Sequence, residues 1–324
     1  MSSLPVCRAA LSAPFLQFLD DNGRDPSPLL KRLRIDKRKL TTPTLYLPSH
    51  VVSLIVDSAS KTTGHDDIGF YAAQYVNNQA LHPEFQHHLA SSEGLTDFLD
   101  ALISFQHLQG SHFKLWFEYL NGELKICHQS SLKATNKSYE HANEFTTFLI
   151  IKLLKDQLGA SWQPNYLAFD HQSSPKAKIV GQTTEKKVFY GADYSYVPVS
   201  LNVDDLQPFR RQPNQRHCCS MARVKGVVDT FWQEEHFGID FVAHLFGVSE
   251  RTLQRLFIQH NSSFRDYLNQ KKIEKSMVLL QQGHSVQAVA EKLNYSDPSN
   301  FSRAMKKHLK QTPTQYLKSL SLSS

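Results

Sequence analysis

No apolar run in this chain approaches the roughly 20 residues that a membrane-crossing helix needs. The opening, MSSLPVCRAALSAPFLQFLDDNG, has neither the basic start nor the long apolar stretch of an export signal, and reads as a short amphipathic helix. Cysteine is scarce: Cys7, Cys127, Cys218 and Cys219 are all there are. Adjacent cysteines rarely bridge each other and no CxxC spacing occurs, so neither a structural disulfide nor a zinc site is expected, and the setting reads as a reducing cytoplasm. A glycine-rich phosphate loop, a GxSxG elbow and an HExxH helix are also missing. Serine, histidine and aspartate are plentiful but unplaced, so no catalytic residue is assigned, no enzyme is expected and no cofactor is implied.

A length of 324 residues suggests about two domains. The formal net charge is +6, and its distribution says more than its size. From His217 onward there are 14 Lys and Arg against 9 Asp and Glu, whereas the residues before it hold 22 against 21. A basic domain attached to a neutral one suggests a polyanion partner. The stretch DDLQPFRRQPNQRHCCS, residues 204 to 220, carries two prolines and little apolar periodicity, and reads as the linker between them.

Before that linker the pattern is α+β. The first ~60 residues read as helical, broken at DPSP and TTPTLYLP, and EGLTDFLDALISFQHLQG adds another helix. HFKLWFEYLNGELKICHQS has two apolar runs around Asn121-Gly122, a strong hairpin signal. EFTTFLIIKLLKDQLG returns to helical spacing up to Gly159, and KKVFYGADYSYVPVSL reads as strand and turn. Both parities of residues 113 to 119 are rich in apolar side chains, which suggests a strand covered on both sides. Trp116, Phe117, Tyr119, Trp162, Tyr166, Phe189 and Tyr190 could line a ligand pocket, but strand alternation favours a place in the core. Of the 16 histidines, His82, His87 and His88 lie close together. No fourth ligand accompanies them, so they are read as solvated and no metal is assigned.

Beyond the linker everything reads as helical. In FGIDFVAHLFGVSERTLQRLFIQH, Ile239, Val242, Ala243 and Phe246 mark one face, Gly247 supplies a left-handed break and Ser249 can cap the next helix. There Leu253, Leu256 and Phe257 point inward, which leaves Arg251, Gln254 and Arg255 outward. This is a helix-turn-helix pattern, and arginine and glutamine carry donors that match base edges in a major groove. A second unit follows in SVQAVAEKLNYSDPSNFSRAMKKH. Val286, Val289, Ala290 and Leu293 form its first face, Asn294 replaces the turn glycine, Asp297 is a cap and Pro298 suits a first helical position. Phe301 and Met305 face inward, while Pro298, Ser299, Ser302 and Arg303 lie outward, with Lys306 and Lys307 a turn further on. Matched positions of the two units are separated by 47 residues before the turn and 48 after it, so the second turn is one residue longer. A long helical segment from Ser263 spaces the two units, and two such helices could enter successive major grooves roughly 34 Å apart.

LFGVSERTLQRLF, the segment from Ser263, VAEKLNYSDPSNFSRAMKKH and QTPTQYL together resemble the DNA-binding domain of the AraC/XylS family of bacterial transcription regulators, over nearly a hundred residues and in family order. The resemblance implies base contacts at Arg251, Gln254, Arg255, Pro298, Ser299, Ser302 and Arg303, and phosphate or flank contacts at Lys306 and Lys307. Thr252 and Asn300 are placed beside the phosphates, or contact nothing. Pro298 and Ser299 serve equally well as cap residues, and Arg255 and Arg303 could partly serve ion pairs within the domain. The family usually has glycine where Asn294 and Lys310 stand, and arginine near Lys272 and at Leu317. DNGRDPSPLLKRLRID, TTGHDDIGFYAAQYV, EGLTDFLDALISFQHL and ASWQPNYLAFDHQSSP are similar to the arabinose-binding-like, non-cupin N-terminal domain of such regulators.

The expected architecture is therefore an α+β effector-binding and dimerisation domain over residues 1–207, a linker over 208–222, and an all-α domain over 223–324 with two helix-turn-helix units joined by a long helix. The resemblance implies a ligand-responsive regulator, an activator in the first instance. Its expected partners are operator DNA, a small-molecule effector of unknown identity, a second copy of the chain through the N-terminal domain, and RNA polymerase if it activates. No membrane partner is expected, and no effector-binding residue is assigned. The alternative is a helical module that docks a protein partner instead of DNA.

Overall fold

The computed structural model describes residues 4–42, 45–77, 80–120, 123–132, 138–172, 187–200, 220–234 and 237–321. Its contacts divide the chain into two compact units, Met1–Arg223 and Val224–Ser324.

The first unit is α+β. Two short strands, β1 (Val6–Arg8) and β2 (Tyr46–Pro48), pair antiparallel with Cys7 opposite Leu47. Around them lie α1 (Ala13–Asp21), α2 (Ser27–Leu33), α3 (Ser49–Thr63), α4 (Ile68–Gln74), α5 (Pro83–Ala90) and α6 (Leu95–Ser104). Then come β3 (Phe113–Leu120), β4 (Glu123–Ser130), the long helix α7 (Ser138–Leu158), β5 (Tyr166–Phe169), β6 (Lys187–Tyr190) and β7 (Ser195–Val199). The five later strands form one sheet in the order β3-β4-β7-β5-β6, parallel only between β5 and β6. The β3–β4 register closes at Leu120 opposite Glu123, as a two-residue hairpin requires. Asn121 and Gly122 themselves lie outside the described residues.

One face of the sheet is buried. Leu124, Ile126 and His128 of β4 share it with Val197 and Val199 of β7, and the imidazole Nε2 of His128 lies 2.7 Å from the Thr147 hydroxyl of α7. At the end of β5, the Asp170 carboxylate accepts from Tyr139 at 2.5 Å and Asn143 at 2.9 Å, both on α7, and from Ser195 of β7 at 2.9 Å. This knot ties three elements with charge-assisted bonds. Helices α4 and α7 touch at Gly69, where a methyl group would come within 2.4 Å of the His141 carbonyl oxygen.

The opposite face departs from the sequence expectation. Residues 113 to 119 are not covered on both sides: Leu115 alone among them is buried, and Tyr119 is 46% exposed. β3 is an edge strand, with β4 as its one sheet neighbour among the described residues. Nor do the seven aromatic candidates enter the core. Trp116, Phe117, Trp162, Tyr166 and Tyr190 are half-buried, and Phe189 is 50% exposed. Trp116, Tyr194, Tyr196, Tyr166 and Phe189 instead run as a ribbon of rings across the outer face, with successive centroids 5.1 to 6.2 Å apart. The histidine group is also placed: His82 caps α5 by accepting from the Glu84 amide, and His88 stacks on Phe105 at 3.6 Å. Among the described residues, no three His, Cys, Asp or Glu side chains are grouped to hold a metal ion. Cys7 and Cys127 are buried free thiols, each pushed up to about 12 by desolvation. Cys218 and Cys219 lie outside the described residues.

The second unit is all-helical: α8 (Ser220–Phe231), α9 (Ile239–Phe246), α10 (Glu250–Gln259), α11 (Phe264–Gln281), α12 (Val286–Lys292), α13 (Pro298–Leu309) and α14 (Pro313–Ser321). α8 begins at Ser220, within the stretch 208–222 assigned to the linker; residues 208 to 219 lie outside the described ones. No described helix is long and apolar enough to cross a membrane.

His128 generates a pH prediction. Burial holds its imidazole down to about 3, against about 6.5 in an unfolded chain. Below about pH 6.5 the unfolded chain takes up a proton that the folded one refuses, so stability falls with pH by up to about 1.4 kcal/mol per unit. Burial raises the Glu144 carboxyl, whose folded form therefore gains a proton first and offsets part of that loss as pH falls. The thermal midpoint is expected to drop between pH 7.5 and pH 5, and to drop less in His128→Asn, which keeps a partner for Thr147. Equal slopes in the two proteins would show that His128 is not the group responsible.

Candidate nucleic-acid interface

Each helix-turn-helix unit is built from a left-handed residue and a side-chain cap. Gly247 ends α9 at φ 63°, and the Val248 amide reaches back to the Ala243 carbonyl at 3.0 Å. Two residues later the Ser249 hydroxyl accepts from the Thr252 amide and starts α10. In the second unit Asn294 takes φ 54°, and the Tyr295 amide reaches the Ala290 carbonyl at 2.9 Å. The Asp297 carboxylate then accepts from the Asn300 amide at 2.7 Å, and Pro298 takes the first position of α13. The gap from left-handed residue to cap is one residue longer in the second unit, as the sequence offset requires. Lys310 occupies the left-handed position after α13 at φ 60° and donates its amide to the Lys306 carbonyl. A lysine therefore adopts the glycine-type helix end despite its Cβ.

The inward residues lock both helices. Leu253 and Phe257 of α10 are fully buried, as are Phe301 and Met305 of α13. Leu256, expected to point inward, is only half-buried. Phe257 packs edge-on against Phe264, and Phe237 stacks on Phe264, so the first unit rests on an aromatic cluster at the start of α11. The second unit rests further along α11, where Ile273, Leu279 and Leu280 join Val289, Ala290, Leu293, Phe301 and Met305 in one core. At the joint between α8 and α11, the Tyr267 hydroxyl donates to Asp229 at 2.7 Å and Lys271 lies 3.3 Å from the same carboxylate.

The expected contact residues fall on the outer faces. Arg251, Gln254 and Arg255 are exposed on α10, and Pro298, Ser299 and Arg303 on α13, with Ser302 half-buried beside them. Arg251, Gln254 and Arg255 have no hydrogen-bond or ion-pair partner among the described residues. Arg303 differs: its guanidinium donates to the Asn300 side-chain carbonyl at 2.5 Å. Asn300 is itself clamped, its amide donating to Ser296 at 2.5 Å and to Asp297 at 2.7 Å. Thr252 likewise bonds Ser249 at 2.9 Å. Both residues expected beside the phosphates thus have intramolecular work already. Lys306 is exposed, and the Lys307 ammonium lies 3.6 Å from Asp266, a solvent-exposed pair. The structure adds Ile258, 68% exposed at the end of the Arg251–Arg255 stripe, which the sequence reading missed. Its helical spacing of seven from Arg251 was the available signal.

Comparison with known proteins follows the same division. A profile described as "Arabinose-binding domain of AraC transcription regulator, N-term" matches residues 23–200, and one described as "Helix-turn-helix domain" matches residues 242–319. The HTH-type transcriptional regulator NimR of Escherichia coli (strain K12) is 37% identical over 76 residues, which span 23% of this chain and 28% of that relative. Among solved structures, the transcriptional regulator CdpR from Pseudomonas aeruginosa aligns over 94% of this chain and 97% of its own, with 14% identity and a TM-score of 0.40. The C-terminal domain of AraT, a response regulator from Geobacillus stearothermophilus, aligns over 32% of this chain and 88% of its own, with 25% identity and a TM-score of 0.30.

Lys310 supplies the test of the turn geometry. Lys310→Gly should raise stability by about 0.5–1 kcal/mol, because glycine adopts positive φ without strain but costs some unfolded-state entropy. Differential scanning calorimetry of the full chain checks this, and a lower transition temperature would contradict the left-handed assignment.

Proposed function

This chain belongs to the AraC family of transcription regulators, and from that premise we propose that it binds operator DNA through α10 and α13 and answers to a small molecule held by its N-terminal unit. The observation that carries the reading is the matched pair Arg255 and Arg303. Each stands outward on a helix whose opposite face is locked in a core and whose start is fixed by a cap. α11 is about 27 Å long at 1.5 Å per residue, and successive major grooves recur at about 34 Å, so a rigid helix of this length suits two readers on one face of a duplex.

In this reading Arg251, Gln254, Arg255, Pro298, Ser299, Ser302 and Arg303 meet base edges, while Lys306 and Lys307 release counterions from the phosphates. Thr252 and Asn300 act first as scaffolding, and touch phosphates only if their internal bonds are shared. Lys307 exchanges Asp266 for a phosphate, a small change because exposed ion pairs contribute about 0–1 kcal/mol. The effector acts by binding one arrangement of the protein better than another. The protein works in the cytoplasm as a homodimer through its N-terminal unit, and activation involves contact with RNA polymerase.

Gel-shift titrations against an operator and its single-base variants test this. Arg255→Ala and Arg303→Ala should each cost about 1–3 kcal/mol and relax preference at one base position. An unchanged site preference in either variant removes that residue from the base-reading set, and failure to bind any duplex at low salt removes the DNA reading altogether. Lys307→Ala should weaken all sequences alike and lower the salt slope by about 1; an unaltered slope means that Lys307 stays with Asp266.

A further inference from the structure

The second unit carries a groove of about 730 Å³ that the recognition helices do not use. On α11, Leu268, Lys272, Lys275 and Leu279 recur at spacings of four, three and four, and so form one stripe along the helix. That stripe lines the groove together with Trp232, just after α8, and with Lys292 and Leu293 at the end of α12. The floor is apolar: Leu279 and Leu293 are buried, and Trp232 and Leu268 are half-buried. Above it stand three ammonium groups and, among the described residues, a single carboxylate, that of Glu234.

Among the described residues the lysines are short of counter-charge. Lys272 leans on the Asn294 carbonyl oxygen at 3.5 Å and over the Tyr295 ring at 5.0 Å, both neutral. Desolvation holds its ammonium below the usual lysine value. Lys292 faces His284 Nε2 at 3.1 Å. Neither Lys275 nor Lys292 has a carboxylate partner among the described residues, although the neighbouring Lys271 pairs with Asp229 and Glu274. Three like charges around an apolar floor repel one another, and an anion with an apolar body relieves the repulsion and covers what Trp232 and Leu268 leave open.

We propose that this groove binds a small amphipathic organic anion, its acidic head among Lys272, Lys275 and Lys292 and its apolar body on Trp232 and the leucines. Such a ligand touches α11 and the turn residues Leu293 and Asn294 at once. It therefore bears on the orientation of α13, and gives the second unit a regulatory input of its own. The effect on DNA rests on the proposed function; the binding does not.

Calorimetric titration of the full chain with 4-phenylbutyrate and with its uncharged amide, 4-phenylbutyramide, tests the site at low and at physiological salt. The acid should bind saturably and the amide about tenfold more weakly. Lys275→Gln/Lys292→Gln, two exposed positions, should weaken the acid about tenfold with the thermal midpoint unchanged. Any one of three results overturns the site: no saturable binding up to about 10 mM, equal affinity for acid and amide, or unchanged affinity in the double variant. A double variant that keeps phenylbutyrate but loses duplex DNA would also overturn it, assigning these lysines to phosphates. Loss of phenylbutyrate binding in a variant that still gel-shifts the operator separates this inference from the DNA reading.

Discussion

A left-handed residue followed by a side-chain cap is the constraint on which the second unit depends. Gly247 with Ser249, and Asn294 with Asp297, each end one helix and start the next within a few residues. Positive φ turns the chain sharply, and the cap satisfies amide groups that a new helix start leaves orphaned. Without both, the face bearing Arg255 or Arg303 would have no fixed angle to the helix behind it. Glycine adopts this geometry at no steric cost and asparagine at a small one. Lys310 shows that the fold also holds a lysine there, at the end of α13, where the buried Phe301 and Met305 over-determine the helix.

Packing converts the two turns into one object. α11 contributes Phe264 to the first core and Ile273, Leu279 and Leu280 to the second, so a single helix belongs to both. Its sequence, FRDYLNQKKIEKSMVLLQ, has apolar residues on more than one face for that reason, unlike a surface helix with one stripe. A further stripe, Leu268 to Leu279 through Lys272 and Lys275, lines the groove and shares Leu279 with the second core.

Legibility in the sequence follows the range of the interactions. The second unit is specified locally: caps, turn residues and the Leu253/Phe257 and Phe301/Met305 pairs all act within five residues of one another, and periodicity reports them. Leu256 misled because position within a helical stripe does not fix depth. The N-terminal unit is specified at long range. β1 and β2 are three residues each and pair across more than thirty residues of chain, too short for alternation to register. β5 is read as a strand only once β6 and β7 flank it. The paired parities of residues 113 to 119 suggested two-sided cover, but an edge strand places its aromatics across neighbouring rings rather than beneath a second layer. Asp170, just past β5, joins Tyr139 and Asn143 of α7 to Ser195 of β7, and no local spacing announces such a knot.

The two units are alike in construction but differ in how their arginines are held. Asn300 receives Arg303 and is itself fixed by Ser296 and Asp297, so that guanidinium is ordered before any partner arrives. Arg255 has no such support among the described residues. An ordered side chain loses less conformational entropy on binding, a saving of about 0.5–1.5 kcal/mol for a rotamer-rich residue. It also tolerates misplacement poorly, because its fork is already aimed. On the proposed DNA reading the second helix is then the stricter reader and the first the more adaptable one. The difference originates in side-chain identity: Ser296, Asp297 and Asn300 stand where the first unit has Val248, Ser249 and Thr252, at the same spacing from the arginine.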